Sequence, residues 1–134
     1  RYVQDNLPDI QGDPRQLRLV FKNLIINALE ALQPHGGTLR IAVSQDAYQH
    51  ELVISVEDTG SGIPSDVRSA IFEPYQSIRA CGGLGLGLAV SQRIASAHGG
   101  RIELLTSLGE GSTFTVRLPI ASVLPATDNS ESKP

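Results

Sequence analysis

Apolar residues recur at three- and four-residue steps through the first part of the chain. Leu17, Phe21, Leu24, Ala28 and Leu32 fall on one side of a helical wheel. The spacing predicts a helix from Pro14 to about Gln33. Asp13 suits its N-cap and Pro14 its first position. Pro34 and the Gly36-Gly37 pair stop it. A period of two then takes over. Leu39, Ile41 and Val43 alternate within Thr38 to Ser44, and Leu52, Ile54 and Val56 within Leu52 to Asp58. Both read as half-buried strands, joined as a hairpin by the polar turn Gln45 to Glu51. Ser65 to Ile71 predicts a short helix capped by Ser65, and Phe72 to about Gly85 a loop. Leu86 to Ala97 predicts a second long helix, ended by His98-Gly99-Gly100. Arg101 to Thr106 and Ser112 to Leu118 alternate again, around a Leu108-Gly109-Glu110-Gly111 turn. Tyr2 to Gln4 reads as a short edge strand and Leu7 to Gly12 as a connector. Adjacent alternating strands favour antiparallel pairing. The expected fold class is α/β (α+β): a two-layer sandwich whose mixed, mostly antiparallel sheet is covered on one face by helices.

Composition narrows this little. The 134 residues suit one domain, expected over residues 1–120. From Ala121 to Pro134 the chain offers nothing to bury, and a disordered tail is expected. Aromatics make up 4% and Trp is absent, so the core must be aliphatic. The net charge of −3 offers no footprint for nucleic acid. A single cysteine, Cys81, rules out an internal disulfide and fits a reducing compartment. No apolar run approaches the roughly 18 residues of a membrane span. The chain opens on Arg1 rather than Met, which reads as an excised fragment.

Three segments carry candidate chemistry. Asn23 and Asn27 interrupt the apolar stretch Val20 to Leu29 and, four residues apart, share one helix face. An amide oxygen is a hard, neutral ligand, suited to a Mg²⁺ ion already held by phosphates. Asp58-Thr59-Gly60-Ser61-Gly62-Ile63-Pro64 follows a strand directly. Its glycines let backbone approach a ligand closely, and its carboxylate can accept a bond from an exocyclic amine such as adenine's. Gly82-Gly83-Leu84-Gly85-Leu86-Gly87-Leu88 leads into the second long helix, where backbone amides and the helix dipole favour phosphate. No Gly-Lys-Ser/Thr follows, so it is no Walker loop, and its glycine spacing is not that of a dinucleotide fingerprint.

In this order the segments resemble the nucleotide-binding domain shared by histidine kinases, gyrase-type topoisomerases, mismatch-repair ATPases and Hsp90 chaperones. Asn23 to Ala28 resembles the asparagine box and Asp58 to Pro64 the first glycine box. Ile71-Phe72-Glu73-Pro74-Tyr75 resembles the phenylalanine box, and Gly83 to Ala89 the second glycine box. The phenylalanine box, Gly12-Asp13-Pro14, Ala97-His98-Gly99-Gly100 and Gly109 to Phe114 point to the histidine-kinase branch. The likeness spans about residues 10 to 119. It implies ATP and Mg²⁺ as cofactors, with Asn27 as the Mg²⁺ ligand and Asn23 beside it near the phosphates. It implies Asp58 on the adenine amine, Gly60, Gly62 and Ile63 around the base, and a mobile lid from Phe72 to Gly82 that includes Arg79. Gly83, Leu84, Gly85, Leu86 and Gly87 would wrap the phosphates. The implied reaction is transfer of the γ-phosphoryl group to a histidine on a separate dimerisation domain, followed by relay to a response regulator. The domain itself is expected to be cytoplasmic and monomeric.

This chain departs from the family pattern in places. Leu84 stands where many members have Thr, Ser77-Ile78-Arg79 where many have Thr-Thr-Lys, and Glu30 where many have Lys or Arg. His35, His50 and His98 fall at expected turns, none in a His-Glu or His-Asp context on a long helix, so the phosphoaccepting histidine is expected outside this chain. Cys81 reads as incidental. Arg15, Arg18 and Lys22 form a helix stripe that reads as a solvated face, with docking to histidine-bearing helices as the alternative. Three rival readings are a serine kinase of the anti-sigma-factor type, a gyrase- or Hsp90-like conformational ATPase, and a degenerate nucleotide-binding module. The second usually has a glutamate where this chain has Asn23.

Overall fold

The computed structural model describes residues 2–3, 7–63 and 85–121. The elements are β1 (Tyr2–Val3), α1 (Pro14–Ala31), β2 (Leu39–Asp46), β3 (Glu51–Asp58), α2 (Gly85–Ala97), β4 (Arg101–Ser107) and β5 (Gly111–Pro119). The expected helix at Ser65 to Ile71 and the lid lie outside the described residues.

Sheet order is β1-β2-β3-β5-β4. β1 runs parallel to β2, and the other pairings are antiparallel. The mixed, mostly antiparallel sheet with helices on one face is therefore the observed architecture. Strand parity decides which residues meet the helices. On β3 the even positions Leu52, Ile54, Val56 and Asp58 are buried; on β5 Ser112, Phe114, Val116 and Leu118 are. In register they lie opposite one another, with Ile54 facing Val116 and Asp58 facing Ser112. Val20, Leu24 and Ala28 of α1 and Leu88, Ile94 and Ala95 of α2 close the aliphatic core over them.

Asp13 caps α1 as its sequence suggests, its Oδ1 accepting the Arg15 N–H at 2.9 Å. The helix stops at Ala31, two residues before Gln33. The Leu32 and Gln33 N–H groups close the last turn, and Gly36 donates to the Leu32 carbonyl at 2.6 Å. The hairpin strands overrun their expected ends. β2 continues to Asp46 and β3 begins at Glu51, because these termini join a charge network on the sheet's outer face. Arg117 reaches Asp46 at 3.1 Å, Glu51 at 3.3 Å and Glu103 at 3.0 Å, while Arg101 reaches Glu51 at 3.0 Å and Glu103 at 2.9 Å. Ala121, the last described residue, donates its N–H to the Asp9 carbonyl at 2.8 Å.

The network titrates in acid. Hydrogen bonds from Arg101 and then Arg117 hold the Glu103 carboxyl below its ordinary value. A depressed carboxyl contributes stability above the unfolded value, and that share is lost as pH falls through the folded one. Arg117→Ala is expected to cost about 1 kcal/mol at low ionic strength and less in high salt. Urea denaturation at two salt concentrations checks this; equal losses at both would contradict it.

Candidate functional site

The site is organised along one stripe of α1. Asn23, Asn27 and Ala31 stand four residues apart, about 6 Å per step. At one end, Asn23 Nδ2 donates to the Gly87 carbonyl at 3.1 Å and to Ser91 Oγ at 3.2 Å. Both amide hydrogens of Asn23 are thereby committed to the start of α2. Contact here is close: a Cβ at Gly87 would lie 3.1 Å from Asn23 Cγ. At the other end, the loop after Asp58 rests on the end of α1, where a methyl on Gly60 would press into the Ala31 carbonyl. Asn27 stands between these two glycine segments. Its Nδ2 is buried and has no hydrogen-bond partner among the described residues. Two asparagines of one stripe thus differ: one joins the helices, the other keeps a buried amide donor without a partner among the described residues.

Asp58 closes β3 at 3% exposure. Its Oδ1 accepts the Gly60 N–H at 2.8 Å, which folds the loop back over the carboxylate. Burial pushes the carboxyl above its ordinary value, with a small addition from Glu57, while the Gly60 and Ser112 amides pull it back. A carboxylate kept partly desolvated at a strand end is typical of a ligand-facing group.

The loop is moulded onto the β4–β5 hairpin. Gly62 has φ +75°, in the left-handed region, and a Cβ there would strike the Ser107 carbonyl. Gly109 donates to the Ser61 carbonyl at 2.6 Å, and the Ile63 N–H to Thr106 Oγ1 at 2.9 Å. Thr106 and Ser112 join at 2.8 Å between their hydroxyls. Thr106 lies in no motif, and Ser112 only in the closing segment Gly109 to Phe114, which assigns it no role of its own. Their signal was parity: both are polar residues at the inward positions of strands that are otherwise apolar there. Ser91, fully buried on α2, is another such polar interruption.

The structure thus places Asn23, Asn27, Gly60 and Gly87 along α1, with Asp58, Gly62 and Ile63 in the loop beside its end. Gly85 opens α2, and Leu86 lies in its first turn. Phe72, Arg79, Gly83 and Leu84 lie outside the described residues, as does Cys81. His98 is a structural joint: its Nε2 accepts the Asp13 N–H at 3.0 Å and its Nδ1 donates to the Ile94 carbonyl at 2.8 Å. Arg15, Arg18 and Lys22 are exposed and form no ion pair among the described residues. No described helix is long and apolar enough to cross a membrane.

This helix-on-sheet arrangement is the α+β fold of histidine-kinase catalytic domains. It matches the nucleotide-free catalytic domain of histidine kinase ThkA with a TM-score of 0.73 at 28% identity, covering 89% of this chain and 77% of that one. Full-length ShkA in complex with AMPPNP matches with a TM-score of 0.75 at 32% identity, covering 90% of this chain and 25% of that one. The sequence profile of the histidine kinase-, DNA gyrase B-, and HSP90-like ATPases matches residues 12–122, and the chain belongs to that family. Sensor histidine kinase ZraS of Escherichia coli (strain K12) is 45% identical over 118 residues, which make up 88% of this chain and 24% of ZraS. Adaptive-response sensory kinase SasA of Synechococcus elongatus is 43% identical over 121 residues, 88% of this chain and 31% of SasA. The chain therefore spans about a quarter to a third of the length of these two relatives.

Proposed function

We propose that this chain, over residues 1–120, is the ATP-binding catalytic domain of a sensor histidine kinase. It binds Mg·ATP and donates the γ-phosphoryl group to a histidine on a dimerisation domain, from which a response regulator takes it. The P–O bond to ADP breaks, ADP leaves with its electron pair, and a P–N bond forms. The observation that carries this reading is the 45% identity to a sensor histidine kinase across 88% of the chain. That likeness favours histidine over serine as acceptor.

Asp58, with Gly60, Gly62 and Ile63 shaping the pocket, binds the adenine amine. Phe72 and Arg79 belong to the lid, and Gly83, Leu84, Gly85, Leu86 and Gly87 surround the phosphates. Residues at Asn27 fit a Mg·phosphate group: its buried Nδ2 calls for a polar partner that the described residues do not supply, and its oxygen is a hard ligand. When bound, Mg²⁺ neutralises phosphate charge during transfer. Asn23 acts one step removed, fixing the start of α2 against the stripe that carries Asn27.

The test mixes this chain with Mg·[γ-³²P]ATP and a histidine-bearing dimerisation domain of the ZraS type, followed by acid treatment. Acid-labile label on the partner is the expected result. Acid-stable label would move the acceptor to serine, and no label on any partner supplied would leave the kinase reading without support.

A further inference from the structure

Ser91 is a polar residue in the seam between α1 and α2, at 0% exposure. A hydroxyl shut away from water needs a partner. Ser91 Oγ lies 3.2 Å from Asn23 Nδ2, which also donates to the Gly87 carbonyl at 3.1 Å. The Gly87 carbonyl can only accept, so the nitrogen of the Asn23 amide, not its oxygen, faces it. That nitrogen carries two hydrogens, and Ser91 Oγ takes the second. Gly87 and Ser91 stand four residues apart on one face of α2. One side chain of α1 therefore grips a whole turn near the start of α2. The grip is close: a Cβ on Gly87 would come within 3.1 Å of Asn23 Cγ, tighter than ordinary van der Waals contact. Glycine at this position thus answers to the helix joint. A bond to Gly87 alone would hold the distance between the helices and leave α2 free to roll about its axis. The second bond, to Ser91, sets the roll.

We infer that Ser91 is a positioning residue for the phosphate end of the nucleotide, acting through Asn23. Gly85, Leu86 and Gly87 open α2 just ahead of it, and the inference rests on the reading of that segment as the phosphate contact. A helix start favours an anion only while its N–H groups stay aimed at it, and the effect is confined to the first turn. Where geometry carries the interaction, a misplacement of about 1 Å can cost up to about 100-fold. Ser91 itself is buried beneath the first turn and meets the nucleotide only through the placement of that turn. The proposed base contacts are held by other means, since the Asp58–Ile63 loop is pinned to the β4–β5 hairpin by the Ile63 and Gly109 amides. Loss of the Ser91 hydroxyl should therefore fall on the phosphates and spare the base.

The experiment titrates this chain with Mg·ADP and, separately, with adenosine at up to millimolar concentration, followed by amide NMR shifts. Wild type should bind Mg·ADP more tightly than adenosine. Ser91→Ala should weaken Mg·ADP by roughly tenfold, the effect of about one lost buried hydrogen bond, and leave adenosine within about twofold of wild type. A merely structural role would weaken both ligands alike. Equal losses overturn the inference, and so does an unchanged Mg·ADP affinity. Asn23→Ala and the double variant show whether Ser91 acts through Asn23. With Asn23 gone, Ser91 has nothing to hold, so the double variant should match Asn23→Ala within about twofold, whereas losses that multiply overturn the inference. If Ser91→Ala does not fold, Ser91→Cys, which keeps the shape and offers a poorer acceptor, is judged by the same split between Mg·ADP and adenosine. Wild type that binds Mg·ADP and adenosine alike sinks this inference but not nucleotide binding. Wild type that binds neither sinks the proposed function, and this inference with it.

Discussion

Asn27→Ala is expected to lower phosphotransfer by about 10²- to 10³-fold, the range seen when one preorganised polar group at a charged reacting centre is removed. The fold should not suffer. Asn27 Nδ2 is buried without a partner among the described residues, so the variant deletes an unsatisfied donor rather than a made bond. Chemical denaturation should therefore find the ligand-free variant at least as stable as wild type. The two measurements together are diagnostic. An Asn27 that served only the fold would show the opposite pattern, reduced stability with transfer lost only in proportion. A variant that transfers phosphate at the wild-type rate would remove Asn27 from the site.

Asp58→Asn should separate binding from stability in a similar way, with pH as the handle. The folded Asp58 carboxyl lies above its ordinary value, chiefly through burial. The native state thus binds the proton more tightly than the unfolded state. Stability falls as pH rises through the window between the two values, and above it the ionised form opposes folding in full. Asparagine keeps an oxygen for the Gly60 N–H and carries no charge. At pH 7 the ligand-free variant should be as stable as wild type or more so, and the difference should shrink as pH approaches the ordinary carboxylate range. Nucleotide affinity should fall by roughly 10- to 100-fold, as expected for losing a charge-assisted bond. Thermal melts from pH 3 to 7 and calorimetry with Mg·ADP check both halves. A variant that binds ADP like wild type would overturn the assignment of Asp58.

Periodicity carried the helices and strands because each buries one face against a common core. Local rules also placed the α1 cap, since Asp13 acts on its immediate neighbour. Long-range contacts set what the chain order left open. Asp46 and Glu51 look like turn residues until Arg117, far along the chain, pulls them into the sheet. Asn23 and Asn27 are alike in type and stripe. Only the arrival of Gly87 and Ser91 opposite Asn23 distinguishes a helix joint from a group with a buried donor. Thr106 and Ser112 belong to no box in the sequence, and their meaning depends on strand register. His98 reads as a turn residue beside glycines, yet its ring nitrogen completes the first turn of α1.

That last contact has a mechanical consequence. α1 and α2 run antiparallel, riveted once where Asn23 meets Gly87 and Ser91, and again where Asp13 meets His98. The two joints lie toward opposite ends of α2 and oppose both sliding and scissoring of α2 on α1, which favours the asparagine stripe and the start of α2 moving as one plate. Any motion during a nucleotide cycle must be taken up at the edges of that plate. The rivets also differ in kind. The Asn23 joint is made by a side-chain amide to α2, whereas the His98 joint is made by a ring nitrogen to the backbone N–H of the α1 cap.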